Sequence, residues 1–393
     1  MSPADPIAHP PAGTIRGRAG AELLRFDGIP FAIPPLGAMR FRAPAAAPDH
    51  PGTLDARSPR PAPLQRPGPA LGTRPVGATS EDCLNLNIVT QGLRGKRPVM
   101  VWIHGGGFTN GCATDAIHSG ERLVLRGDVV LVTLDYRLGV FGFLHDPETP
   151  DACNAGLHDQ LLALQWVRRN IAAFGGDPDA VTLFGESAGA MSILALMGAP
   201  LADDLFHRVI LQSAAGGANQ SMTQAGAVRQ LLDADLATSG ATPGGNAGAW
   251  TETDAELLLN AQERVAQQVR ARTGRGAWRP MLDDRLVLMG ATAAQARGIN
   301  QQRHMLLGTN ADEQRLYVNL RERLDDATAL ARLIDHLPAA DHGATKPATD
   351  PTARDPRTAE PTTPDPAAAA RYLLDAYART RPEQSLTEVL AAI

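Results

Sequence analysis

The sequence predicts an α/β fold, a mostly parallel central sheet flanked by helices, and three observations carry that reading. Continuous apolar runs at residues 98–103, 129–134 and 181–184 are of the type buried on both faces of a sheet. Between the second and third runs, Leu157, Leu161, Leu164, Val167 and Ile171 recur at three- and four-residue spacing and mark an amphipathic helix over 156–173. The third run then enters a second helix-like stretch, ending near Met197, through Gly185-Glu-Ser-Ala-Gly189. Strands alternating with helices fit a parallel sheet joined by crossovers.

Taken in order, residues 14–44 alternate apolar and polar groups and then meet turn formers, which predicts an N-terminal hairpin followed by an ordered loop. Residues 45–79 are rich in Pro, Ala and Gly without periodicity and are expected as a surface loop. Strands are expected at 84–90 and 98–103, a helix at 119–126 and a strand at 129–135. After the helix over 156–173, a turn is expected at Gly175-Gly-Asp-Pro178, then the strand at 181–184. A short strand at 209–212 and helices over 222–272, broken by a Gly-rich loop at 238–248, come next, and the helices are expected to cap the sheet. His304-Met-Leu-Leu-Gly308 is the last clear strand.

The domain expected from this pattern covers residues 1–334. Residues 335–366 hold mainly Pro, Thr, Ala and Asp and read as a disordered insert, because they cannot bury enough apolar surface to offset ordering entropy. Residues 367–393 read as a helical segment, with Ser385 and Glu388 spaced as a capping box.

The chain has 393 residues, 44% hydrophobic and 20% charged, and a net charge of -5. That balance suits a globular protein and leaves no basic footprint for nucleic acid or an anionic membrane. The first residues have no charged and apolar leader, and no run is long enough to span a bilayer, so a cytoplasmic setting is expected. Cys83, Cys112 and Cys153 lack C-x-x-C spacing and read as buried free thiols. Nothing here calls for a metal or a cofactor.

Gly185-Glu-Ser-Ala-Gly189 between a strand and a helix has the form of a nucleophile elbow. Two glycines without Cβ atoms let the strand and helix approach and leave the Ser187 hydroxyl exposed, although the same pentapeptide also fits an ordinary tight turn. Serine-based ester cleavage needs a nucleophile, a base, an acid that orients the base, and donors for the oxyanion. His104-Gly-Gly-Gly-Phe108 follows an early strand, as an oxyanion loop does, or is a flexible turn.

These segments resemble the type-B carboxylesterases, the α/β-hydrolases that include para-nitrobenzyl esterases and cholinesterases. The resemblance runs through Phe26-Asp-Gly-Ile-Pro-Phe-Ala32, Arg40-Phe-Arg-Ala-Pro44, Ser80-Glu-Asp-Cys-Leu84, the stretches 154–160 and 166–178, the elbow, Leu205 to Ser213, Arg279-Pro-Met-Leu-Asp283 and Gly308-Thr-Asn-Ala-Asp-Glu313. It implies carboxylic ester hydrolysis through an acyl-Ser187 intermediate on small or aryl esters, with Glu313, after the 304–308 strand, as acid, Asp312 as its local rival and a solvated loop carboxylate as the bland reading. It also implies oxyanion donors at the N–H groups of Gly106, Gly107 and Ala188, and a supporting role for Ser213, which otherwise is an ordinary buried hydroxyl. The chain departs from the family at Asn85, Asp284 and Gln314, where an aromatic residue, Gly and Gly are usual. Cys83 matches a cysteine that is disulfide-bonded in secreted members, and no cysteine precedes it here.

The base is the gap. In this fold the histidine follows the acid, and only His336 and His342 do so. His342 is the candidate base, but the residues around it lack the family's aromatic and apolar continuation, while His336 lies in a helix-like stretch. The resemblance therefore implies a family member that stops before its final strands and histidine loop, with an uncovered sheet edge open to self-association. The alternative reading is a catalytically impaired hydrolase-fold remnant that binds a ligand or partner, or a split enzyme whose base arrives on another chain.

Overall fold

The computed structural model describes residues 4–67, 77–145, 153–216, 219–239, 248–311 and 313. Eight strands form the main sheet: β1 (Arg18–Ala19), β2 (Leu24–Pro30), β3 (Asn85–Thr90), β4 (Arg97–Ile103), β5 (Val130–Leu134), β6 (Gly176–Glu186), β7 (Arg208–Gln212) and β8 (His304–Gly308). Their order is β8-β7-β6-β4-β5-β3-β2-β1. The five strands from β8 to β5 are mutually parallel, whereas β3, β2 and β1 attach antiparallel. The hairpin expected at the N-terminus thus extends the main sheet through β2.

The apolar runs occupy its centre: Val99, Val101 and Ile103 of β4 and Val181 and Leu183 of β6 are fully buried, while Met100, Trp102 and Phe184 on the other face are half-buried. All five residues of β5 and all six of β3 are buried, and each fully buried Val, Leu or Ile contributes about 1.5–3 kcal/mol relative to exposure. The flanking helices are α1 (Glu121–Gly127), α2 (Ala155–Asn170), α3 (Ala188–Met197), α4 (Met222–Thr238) and α5 (Ala255–Thr273). Leu232 and Leu236 of α4 and Leu258 and Val265 of α5 belong to the same apolar cluster as the central strands.

Side-chain hydrogen bonds fix the frame where periodicity says nothing. Asn154, left-handed at φ 55°, caps α2. Its amide donates to the Met281 carbonyl (2.9 Å) and to Asp283 Oδ2 (2.6 Å), and its Oδ1 accepts from Met281 N (2.9 Å). Asp284 has φ 54°, which accounts for the glycine usual there and for Asp as a tolerable substitute, since a short polar side chain visits the left-handed region at modest cost. Arg137 and Asp159 form a buried bidentate pair, with Nη2 to Oδ1 at 2.6 Å and Nε to Oδ2 at 2.8 Å, tying the segment after β5 to α2.

Two expectations are corrected. The Pro- and Ala-rich stretch over 45–79 is not simply a surface loop: it carries the short strands Thr53–Asp55, Ala62–Pro63 and Thr79–Ser80, and Ala56 and Ala62 are buried. Small residues let the segment enter the core without a periodic signal. The turn expected at 175–178 yields from Gly176 onward to β6, which pairs with β4 through a register shift between Gly176 and Val181. Only Gly175 keeps a turn conformation, at φ 79°.

The chain divides into the units Met1–Gly308 and Thr309–Ile393. The insert expected at 335–366, the helical segment expected at 367–393, and Asp312, Gln314, His336 and His342 lie outside the described residues.

Candidate active site

Ser187 stands between the end of β6 and the start of α3 with φ 53° and ψ −121°. A non-glycine residue held there is strained, and its surroundings show what holds it. The Ser187 N–H donates to the Gln212 carbonyl of β7 at 2.9 Å, and its own carbonyl accepts from Met191 N at 2.9 Å. The glycines on either side are required by space. A Cβ on Gly185 would lie 2.7 Å from the Ile103 carbonyl oxygen, and one on Gly189 would overlap that same oxygen and lie 2.9 Å from the His104 carbonyl oxygen. The elbow therefore packs directly on the end of β4.

From that end the glycine loop departs. A Cβ on Gly105 would meet the Glu186 carbonyl oxygen at 2.6 Å and the Ser187 Cβ at 3.4 Å, so loop and elbow touch. Gly106 and Gly107 have φ 106° and 63°. A Cβ on Gly107 would meet nothing within 4 Å, which places that residue beside open space. Ala188, the first residue of α3, has no i−4 carbonyl inside its helix, and its N–H is one of the free donors of a helix start.

The loop is anchored from the protein side. Gln65 donates to the Gly111 carbonyl (2.8 Å) and accepts from Gly111 N (2.9 Å), Asn110 donates to the Arg66 carbonyl (2.7 Å), and the Phe108 carbonyl accepts from Gly139 N (2.6 Å). Tyr136 donates to the His104 carbonyl (2.9 Å), and Asp135 Oδ1 accepts from Ala113 N (2.8 Å). Sequence reasoning did not single out Gln65, Asp135, Tyr136 or the His104 side chain. The available signal was position: Asp135 and Tyr136 leave the C-terminal end of a parallel strand, where open α/β sheets build their sites.

His104 and Asp135 are both fully buried, with Nε2 and Oδ1 3.8 Å apart. Burial pushes the imidazole down to about 3 and the carboxyl up to about 8. At neutral pH they face each other uncharged.

Ser213, at φ 53°, donates its N–H to the Gly308 carbonyl of β8 at 2.8 Å. In the second unit, Glu313 Oε2 accepts from Asn310 N at 2.8 Å, so the candidate acid is tied to its own turn. A separate small cleft, lined by Arg40, Glu81, Cys83, Arg137 and Phe141, does not include Ser187. Cys83, Cys112 and Cys153 are buried, and Cys153 Sγ lies 2.9 Å from His145 Nδ1. Among the described residues no cluster of three or more His, Cys, Asp or Glu side chains is arranged to hold a metal ion, and no helix is long and apolar enough to cross a membrane.

A mostly parallel sheet carrying a strained serine at a strand-to-helix turn, beside a glycine loop from the neighbouring strand, defines an α/β-hydrolase. The pattern of the carboxylesterase family matches residues 4–383, and the chain belongs to that family. It is 38% identical over 329 residues to the para-nitrobenzyl esterase of Bacillus subtilis (strain 168), covering 80% of this chain and 65% of that protein. It is also 38% identical over 324 residues to the acetylcholinesterase of Bungarus fasciatus, covering 77% and 52%. The solved structure of a thermophilic PNB esterase superposes with a TM-score of 0.77 at 34% identity, over 84% of this chain and 68% of that one. The chain thus spans less than two thirds of the length of the curated relatives it matches.

Proposed function

We propose that the chain is a serine carboxylesterase that cleaves small or aryl carboxylic esters. The observation that carries this reading is the strained Ser187, held at φ 53° against the glycine loop with Gly107 beside open space. Ser187 Oγ attacks the ester carbonyl, and the N–H groups of Gly106, Gly107 and Ala188 take the charge that develops on its oxygen. The intermediate collapses to acyl-Ser187 with loss of the alcohol, and water then releases the acid. Glu313 is the acid of the triad in this reading, Ser213 supports it, and His342 is the candidate base. Loss of one triad member leaves only about 10³–10⁴-fold catalysis over water.

The experiment is turnover of para-nitrophenyl acetate by the chain and by Ser187→Ala. A Ser187-dependent burst supports the esterase reading. Steady turnover abolished by both Ser187→Ala and His342→Ala identifies His342 as the base. A second reading is an impaired hydrolase-fold remnant, because the residues around His342 lack the aromatic and apolar continuation of the family's histidine; for it, turnover matches that of Ser187→Ala. Cys83 and Cys112, buried and without C-x-x-C spacing, fit a cytoplasmic setting.

A further inference from the structure

A trans peptide is planar, with its C=O and N–H pointing in opposite directions. Whatever captures the carbonyl of residue 105 therefore aims the N–H of Gly106, and whatever captures the carbonyl of Gly106 aims the N–H of Gly107. The Gly106 carbonyl accepts from Thr109 N (3.2 Å) and Asn110 N (3.0 Å), backbone bonds within the loop. The Gly105 carbonyl is instead bonded to a side chain, His104 Nδ1 at 2.9 Å. A carbonyl oxygen only accepts, so Nδ1 carries the ring proton and Nε2 bears the lone pair. Gly111 leaves room for this bond: a Cβ there would lie 2.5 Å from both His104 Nδ1 and the Gly105 oxygen.

The ring has little freedom to do anything else. It is fully buried, stacks on Tyr136 with centroids 4.5 Å apart at 21°, and its residue's own carbonyl accepts the Tyr136 hydroxyl. Nε2 faces Asp135 Oδ1 at 3.8 Å. Neither Nε2 nor Asp135 Oδ2 has a hydrogen-bond partner among the described residues. These two buried polar atoms are unused by the ester-cleaving reading, and they sit directly behind the loop that it relies on.

We propose that His104 is a positioning residue for the oxyanion hole and that Asp135 decides which of its ring nitrogens carries the proton. The inference rests on the esterase reading of the same site. While Asp135 is a neutral acid, the proton stays on Nδ1, the Gly105 carbonyl stays turned to the ring, and the Gly106 N–H points away from it. When Asp135 ionises, its proton leaves to solvent. The carboxylate then draws a ring N–H toward itself, so the ring exchanges its Nδ1 proton for one on Nε2. Two acceptors then face each other at Gly105, and the Gly106 N–H loses its aim.

Among the described residues, the groups around Asp135 supply no cation that would cancel its charge. Cys83 and Cys112 have thiols that burial and Asp135 itself push up, Tyr136 is pushed up likewise, and burial pushes His118 down. Asp115 adds a further carboxyl on the segment after the loop, and Arg137 is committed to Asp159.

The test uses the full chain labelled with ¹⁵N-histidine, because imidazole nitrogen shifts report the tautomer directly. His104→Asn identifies the resonance by its loss. At about pH 6.5 the His104 ring is expected as the neutral Nδ1–H tautomer, moving toward Nε2–H above about pH 8, while Asp135→Asn holds Nδ1–H throughout. An Nε2–H ring at the lower pH, or a wild-type ring with no pH response, overturns the proposal. If Asp135→Asn does not fold, the wild-type series alone decides. The second readout is the rate at which a para-nitrophenyl alkylphosphonate labels Ser187. His104→Asn places an amide N–H near the Nδ1 position and is expected to stay within about threefold of wild type, whereas His104→Leu falls about a hundredfold. Equal losses in both variants, tracking their melting temperatures, mean a merely structural role and refute the proposal. A wild-type chain that takes no label defeats the esterase reading, while the tautomer spectra still judge this one.

Discussion

Gly189 packs so tightly on Ile103 that a Cβ at position 189 would overlap the Ile103 carbonyl oxygen. The first turn of α3 and the last residue of β4 are thus in backbone contact, and the elbow geometry depends on a missing methyl group. Gly189→Ala is expected to destabilise the chain by about 1–3 kcal/mol, the usual cost of forcing an atom into a packed site. It should also slow phosphonate labelling of Ser187. Urea denaturation and labelling rate together check this, and an unchanged rate in a folded variant would show that the elbow does not need the contact.

The buried pair of Arg137 and Asp159 ties the exit of β5 to α2. Asp159→Ala leaves the guanidinium buried, and the cost of an orphaned buried charge is about 3–5 kcal/mol. Equilibrium unfolding is expected to show a loss of that size. The double replacement by apolar residues should recover much of it. A loss no larger than that of an exposed salt bridge would contradict the assignment.

His104 and Asp135 pull stability in opposite directions with pH. The imidazole is held near 3, below its ordinary 6.5, so the stability it contributes is complete above 6.5 and lost as pH falls toward 3. The carboxyl is held near 8, above its ordinary 3.8, so its contribution is complete below 3.8 and lost as pH rises through 8. The two slopes oppose each other between about 4 and 6.5, and only the Asp135 slope remains above that. Melting temperature is expected to decline from about pH 6.5 to 8 in the wild type, with that decline reduced in Asp135→Asn. Identical profiles for the two proteins would count against a neutral buried carboxyl.

Much of this was legible in the sequence, for identifiable reasons. β4 and β5 read as strands because central parallel strands leave unbroken apolar runs, β8 because it carries a similar run although all five of its residues are exposed, and α2 because its apolar residues keep helical spacing. The buried parts of residues 45–79 did not read, since short strands of small residues have no period to detect. At the site, Ser187 and the glycine loop were visible as motifs because their chemistry demands glycine at fixed positions. The supports from Gln65, Asp135 and Tyr136 were not, because they are single side chains brought to the loop from distant positions.

Met305, Leu306 and Leu307 on β8 are 42%, 63% and 63% exposed, and β8 is the outermost strand on its side of the sheet among the described residues. An apolar edge strand of this kind pairs readily with other chains. Concentration-dependent self-association is expected in analytical ultracentrifugation, weakened by Leu306→Lys with Leu307→Lys. A stable monomer with a cooperative melt would remove the physical basis for an open edge.

That Ser187 is a nucleophile served by an oxyanion hole is tested, without requiring turnover, by intact-mass spectrometry after exposure to a para-nitrophenyl alkylphosphonate. One adduct per chain is expected, mapped to the peptide containing Ser187 and absent from Ser187→Ala. A folded chain that takes no adduct, or takes it equally after Ser187→Ala, would contradict the claim.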